Sequence, residues 1–153
     1  MDELEKRKDI LKDIAERMNK SCVKWALVGS TNHLIQGMDV IPRDIDVIIS
    51  YDDLEKVKGV FSDLDFEIKE LPNGEAQEMI FKMRGFDIQI CADYSHGKYY
   101  KKRQEEGSTI FVDIEEVSIP VFSLESEALC YEANGRLEKA ERIRDFIKSR
   151  RKH

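Results

Sequence analysis

The sequence predicts an α/β fold, a mixed β-sheet flanked by helices with a helical pair at the carboxyl end, and three observations carry that prediction. Apolar runs at residues 24–28 and 45–49 bracket a short helix-like stretch. Alternating segments follow at residues 66–70, 77–83 and 86–91, separated by turn residues such as Pro72-Asn73-Gly74. Helix-period patterns open and close the chain.

At the start, Leu4, Ile10, Leu11, Ile14 and Met18 recur at near-helical spacing among charges, so residues 2–19 read as an amphipathic helix on the sheet. The first strand ends at Gly29-Ser30, and a short helix then runs over residues 30–37, with Ser30 as its cap. His33 on that helix reads most simply as a partly exposed histidine. Pro42 forbids a regular ladder and favours an extended approach to the second strand. Ser50-Tyr51-Asp52-Asp53 opens another helix through Phe61, with Asp52 and Asp53 as caps.

Met79, Phe81 and Met83 share one strand face and read as core. Residues 93–103 form a basic, aromatic stretch. Tyr99 and Tyr100 could stack on a base there, and Lys98, Lys101, Lys102 and Arg103 could reach phosphates; a solvated loop and helix start explains them equally well. His96 reads as a loop residue. Two short strands, 109–113 and 117–121, surround an acidic turn. Ser123 caps a helix that stops at Asn134-Gly135, and a basic helix follows toward Lys148.

The chemistry concentrates in Val28-Gly29-Ser30 and Arg43-Asp44-Ile45-Asp46. On a strand, side chains at i and i+2 share a face, so Asp44 and Asp46 project together while Ile45 and Val47 fill the other side. Paired carboxylates raise one another's pKa unless a cation lies between them. Mg²⁺ (or Mn²⁺) suits such a pair, because it takes oxygen ligands from one or two carboxylates and keeps sites for substrate phosphates. Gly29 allows close backbone approach to a ligand, and a helix amino end favours phosphate. Each element alone is weak, since paired acids at strand starts often face solvent and Gly-Ser marks many helix starts. Their order and context give them meaning.

Those motifs resemble the nucleotidyltransferase superfamily of the DNA polymerase beta type, in particular its small prokaryotic members. A Gly-Ser turn after the first strand and an Asp-x-Asp on the next match Gly29-Ser30 and Asp44-Ile45-Asp46. The gap between them is longer than in the minimal nucleotidyltransferases and looks more like the lincosamide and aminoglycoside branch. The resemblance implies a nucleotidyltransferase-like sheet spanning residues 1–153 as one domain, with the helical pair at about residues 123–150. It also implies nucleotide binding by Gly29 and Ser30, metal binding by Asp44 and Asp46, and a third carboxylate between residues 86 and 91. The family register puts Gln89 in that slot. An amide cannot accept a proton, whereas Asp87, two residues earlier on the same face, can. Asp87 is therefore the expected third catalytic acid beside Asp44 and Asp46. Arg136 and Lys139 stand where this resemblance brings side chains near a triphosphate, although surface solubility explains them as well.

The implied reaction moves a nucleoside monophosphate, most simply AMP from ATP, to a hydroxyl or phosphate of an unknown small-molecule or protein acceptor. The alternative is a non-catalytic nucleotide-binding or antitoxin-like partner-binding module on the same fold. Composition bounds both. The chain has 153 residues, 41% hydrophobic and 37% charged, with a net charge of −6, which disfavours bulk nucleic acid as a partner. No apolar run is long enough to span a membrane and the start lacks signal-peptide character, so a cytoplasmic protein is expected. Cys22, Cys91 and Cys130 are scattered and read as reduced, partly buried thiols.

Overall fold

The computed structural model describes residues 2–151, with residues 98 and 99 described by their backbone only. Helix α1 (Glu3–Ser21) is capped by Asp2, whose carboxylate accepts from the Glu5 amide at 2.7 Å. Strand β1 (Trp25–Val28) leads into α2 (Gly29–Ile35), and β2 (Ile45–Ser50) into a 3₁₀ turn (Tyr51–Asp53) and α3 (Leu54–Val60). Strands β3 (Phe66–Glu70), β4 (Ala76–Met83) and β5 (Phe86–Asp93) form an antiparallel meander. Helix α4 (Lys98–Arg103), the hairpin β6 (Thr109–Ile114) and β7 (Val117–Phe122), and the pair α5 (Leu124–Ala133) and α6 (Leu137–Arg151) complete the chain.

All seven strands join one mixed sheet in the order β3-β4-β5-β2-β1-β7-β6. The β2–β5 and β1–β7 pairs are parallel, and the others antiparallel. Alternation then decides where each side chain goes. Ile45, Val47, Ile49, Ile88, Ile90, Met79, Phe81 and Met83 turn to the face covered by α1 and α3, where they pack with Ile10, Leu11, Ile14, Met18 and Phe61. On the opposite face Ala26, Val28 and Ile48 pack with Phe122 and Cys130. A third cluster joins Met38, from the loop before β2, to Leu124 and Ala128 of α5 and to Ala140, Ile143 and Ile147 of α6. That last cluster holds the 38–43 loop against the helical pair, and so shapes the space in front of Asp44.

Several local expectations change. The short second helix begins one residue early, at Gly29, and Ser30 is not its cap: Val28 occupies that position and no side chain caps the helix. The capping role assigned to Asp52 and Asp53 falls to Ser50, whose hydroxyl accepts from the Asp52 amide at 3.4 Å; Asp53 makes no side-chain cap bond. His33 is buried, not partly exposed. Arg103 is buried under α4 and donates to the Lys24 and Ile48 carbonyls, so it does not reach for phosphate. Lys102 pairs with Glu105 at 2.6 Å. The roles suggested for the Lys98 and Tyr99 side chains lie outside the described residues. The three cysteines are free thiols, Cys130 buried, Cys91 half-buried and Cys22 exposed. No helix among the described residues is long and apolar enough to cross a membrane.

The core makes a simple demand on stability. Phe61 is fully buried with its ring 4.9 Å from that of Phe81, so Phe61→Ala deletes packed volume the sheet cannot close over. Urea unfolding should find it destabilised by about 3–5 kcal/mol. Phe111→Ala, on the exposed side of edge strand β6, should stay within about 0.5 kcal/mol of the parent.

Candidate active site

Strand pairing builds the site. Val28 and Asp46 are register partners on antiparallel β1 and β2, which brings the turn after β1 against the start of β2. Gly29 has φ +77°, in the left-handed region, and a Cβ there would lie 2.6 Å from Asp46 Oδ2. Only glycine fits both the backbone and that contact. Asp44 is fixed from behind, because the Thr31 hydroxyl donates to its carbonyl at 2.6 Å. The loop before it is fixed as well. Arg7, buried on α1, donates from Nη2 to the Pro42 carbonyl at 2.8 Å and from Nη1 to the Glu3 carbonyl at 2.9 Å.

A second carboxylate network organises the turn from below. Glu127 of α5, 2% exposed, accepts from the Gly29 amide at 3.0 Å and from Asn32 Nδ2 at 2.7 Å, and His33 Nε2 lies 2.8 Å from it. Asn32 Nδ2 and Gln36 Nε2 both donate to the Phe122 carbonyl. The first amide of α2 is thus already taken by a buried carboxylate. Gly29 and Ser30 both remain on the cavity wall.

Asp44 and Asp46 face a cavity of about 730 Å³ bounded by the Gly29-Ser30 turn, the 38–43 loop and the α5–α6 pair. Its floor is acidic. Burial first, then the Asp44 charge and hydrogen bond, push the Asp46 carboxyl up to about 8, and Glu78 and Glu127 add to the effect. Its wall is basic, with Arg43, Arg136, Lys139 and Arg142 lining the same space. Lys139 is held below the usual ammonium range by burial and by the three arginines. Tyr131 stands between them, its ring 5.6 Å from the Arg136 guanidinium and 5.4 Å from the Lys139 ammonium. An acidic pair facing a crowd of cations across one cavity is complementary to a polyanion bound together with a divalent metal. Among the described residues no three carboxylate, imidazole or thiol groups gather at one point. The pair nevertheless fits a divalent cation, since the charges acting most strongly on Asp46 are carboxylates that a cation would offset.

The structure therefore brings Gly29, Ser30, Asp44 and Asp46 together, with Arg136 and Lys139 opposite. Asp87 stands apart from that cavity: it is exposed at the start of β5 and paired with Lys82 at 3.3 Å. Gln89 is the register partner of Asp46 on parallel β5. Arg7, Thr31, Glu127, Arg43 and Arg142 went unrecognised in the sequence. An isolated buried arginine or glutamate resembles any other charge in a helix whose polar residues mostly face water. Only the spacing of Arg136, Lys139 and Arg142 on one helix face was a usable signal.

No family model matches the sequence, and no curated protein does. Solved structures do match. A candidate nucleotidyltransferase from Thermotoga maritima superposes with a TM-score of 0.68 at 23% identity, covering 92% of each chain. The lincosamide adenylyltransferase LnuA, with lincomycin bound, gives 0.58 at 16% identity, covering 91% of this chain and 97% of its own. ANT(2'')-Ia, in complex with adenylyl-2''-tobramycin, gives 0.61 at 12% identity, covering 95% and 98%. The chain has the nucleotidyltransferase fold.

Two outcomes test this geometry. Gly29→Ala should lower stability by about 1–2 kcal/mol through its backbone conformation alone and, by forcing Asp46 aside, weaken divalent-metal binding in calorimetry. The pH dependence has a definite sign. The Asp46 carboxyl is raised from 3.8 to about 8, so between those values the native state holds a proton that the unfolded chain has lost. Without divalent metal this group's contribution to stability should fall as pH rises through that window. Asp46→Asn should flatten the dependence, seen as a smaller loss of Tm between pH 6 and pH 8.5; an equal loss in both proteins would refute the raised carboxyl.

Proposed function

We propose that the chain is a metal-dependent nucleotidyltransferase that moves a nucleoside monophosphate, most simply AMP from ATP, to a hydroxyl-bearing or phosphate-bearing acceptor, releasing pyrophosphate. The observation that carries this reading is the Asp44–Asp46 pair, with Asp46 against Gly29, lining one cavity together with Arg43, Arg136, Lys139 and Arg142. The fold shared with LnuA and ANT(2'')-Ia supports it. Lincomycin and tobramycin, present in those structures, suggest a small polyhydroxylated acceptor for this chain too.

Asp44 and Asp46 would hold Mg²⁺ or Mn²⁺. The bound ion would supply charge neutralisation at the phosphates, the role that dominates such transfers. The rest falls to the chain's own side chains. Arg136, Lys139, Arg142 and Arg43 bind the phosphates opposite the acidic pair and orient them for in-line displacement. Ser30 offers a hydroxyl on the same wall. Glu127 keeps the turn rigid through the Gly29 amide and Asn32, so that binding energy is not lost to ordering the loop. Tyr131 gives the cavity an aromatic side between its cations.

A second reading, a non-catalytic nucleotide-binding or partner-binding module, is favoured by one observation: a neutral amide, Gln89, stands beside Asp46. Both readings require nucleotide binding. Calorimetry with ATP and Mg²⁺ should show affinity that depends on the metal and is lost in Asp44→Asn and Asp46→Asn, with about a tenfold weakening in Arg136→Ala or Arg142→Ala. Unchanged ATP affinity in both aspartate variants would exclude this cavity. Pyrophosphate release from the wild type then separates enzyme from module.

A further inference from the structure

Resting on that transferase reading, we infer that Glu78, on β4, is the general base that takes the acceptor's proton, in place of a carboxylate on β5. The argument begins with the sheet register. Asp46 pairs with Gln89, Ile48 with Cys91, and Cys91 in turn with Glu78 on antiparallel β4. Cross-strand partners share a face, so Asp46, Gln89, Cys91 and Glu78 all project to the same side, opposite the α1–α3 core. There Gln89, Cys91 and Glu78 are only half-buried, while the neighbouring Ala26 and Ile48 are sealed under Phe122 and Cys130. Gln89 is thus the direct neighbour of Asp46 on this face, and Glu78 lies one strand further out and one residue pair along, beside Cys91, which packs against that cluster.

A hydroxyl attacking the α-phosphorus must lose its proton, and the carboxylates near this face divide by their existing duties. Asp44 and Asp46 are the cation pair. Glu127 is buried and already engaged by the Gly29 amide and Asn32. Asp87 is exposed and paired with Lys82. Gln89 is an amide and cannot accept a proton. Asp93, at the far end of β5 on the same face, is buried and accepts from the Cys91 thiol. Glu78 remains, half-buried, on the right face and close enough that its charge and those of Asp44 and Asp46 act on one another. The groups facing it are Lys69, its cross-strand partner on β3, Cys91 on β5, and the two aspartates. Burial and Asp44 hold its carboxyl above the ordinary glutamate range, and Lys69 works against them, which moves it in the direction a base working near neutral pH needs.

The step balances. The acceptor oxygen forms a bond to the α-phosphorus, the bond from that phosphorus to the bridging oxygen breaks, and pyrophosphate leaves with that electron pair. The hydroxyl proton passes to a Glu78 carboxylate oxygen. No oxidant or further reactant is involved.

The test uses the full chain with ATP and Mg²⁺, and three acceptors: water, tobramycin and lincomycin. Glu78→Gln should lower kcat for pyrophosphate release by about 100-fold or more while ATP affinity and its metal dependence stay at wild-type values. The acidic limb of the wild-type pH–rate profile should vanish in that variant, and adding Gln89→Glu, which returns a carboxylate beside Asp46, should restore part of the rate. In the metal-free protein, NMR titration of the Glu78 carboxyl should move to lower pH in Asp44→Asn, because a repelling charge has gone. Wild-type rates in Glu78→Gln, or loss of transfer in Asp87→Asn alone, would overturn the assignment and leave the transferase reading standing. A wild type that binds Mg²⁺ and ATP yet releases no pyrophosphate with any acceptor would overturn both and leave the binding module.

Discussion

The contact between Gly29 and Asp46 is the constraint on which the site depends. β1 and β2 are antiparallel neighbours, so the turn that ends one and the residues that begin the other must share a few ångströms of space. A carboxylate fits there only because residue 29 has no side chain and takes up φ +77°. The price is a desolvated acid beside another acid, with its proton affinity raised to match. Such a pair fits a divalent cation, the role proposed for it.

Around that contact, the molecule separates charges that sequence leaves mixed. Asp44 and Asp46 line the cavity at the start of β2 and Arg136, Lys139 and Arg142 at α6, while the 38–43 loop between them contributes Asp39 and Arg43. The cations repel one another, as the lowered Lys139 indicates, and an anion would relieve that repulsion. The acids repel likewise, and a metal would relieve them. The proposed ligand, a metal-bound polyphosphate, would answer both strains. Buried polar residues hold the frame to this geometry: Arg7 ties the Pro42 segment to α1, Thr31 ties Asp44 to α2, and Glu127 ties α2 to α5. Each is satisfied by partners distant in the chain or on another element, which is why burying it is tolerable.

Much of the fold was legible because it rests on periodicity. The alternation of Met79, Phe81 and Met83 places them in the core, the spacing of Ile10, Leu11, Ile14 and Met18 sets one helix face, and Ser123 and Gly135 bound α5 as their chemistry requires. The nearness of Asp44 to Asp46 was legible because it is local in sequence, although Asp44 stands in the bend before β2 and only Asp46 on the strand; a hydrogen bond joins the two. His33 was misread because amphipathic pattern counts a histidine as polar and cannot see Glu127 arriving from 94 positions later to bury it. Ser30 was misread as a cap because Gly-Ser before a helix usually supplies one, whereas here the helix already begins at Gly29 and Ser30 falls inside its first turn.

The sequence by itself determined the elements, the core faces and the juxtaposition of Asp44 with Asp46, because these follow from local geometry with periods of two and 3.6 residues. Tertiary structure alone decided which charges meet. Strand order and register put Gln89 beside Asp46 and bring Glu78, from the β4–β5 hairpin, to the face that Asp46 shares. The pairing of β2 with β5 depends on how β2 inserts between β1 and β5, a long-range choice made by the burial of the whole sheet, and no window of the chain encodes it.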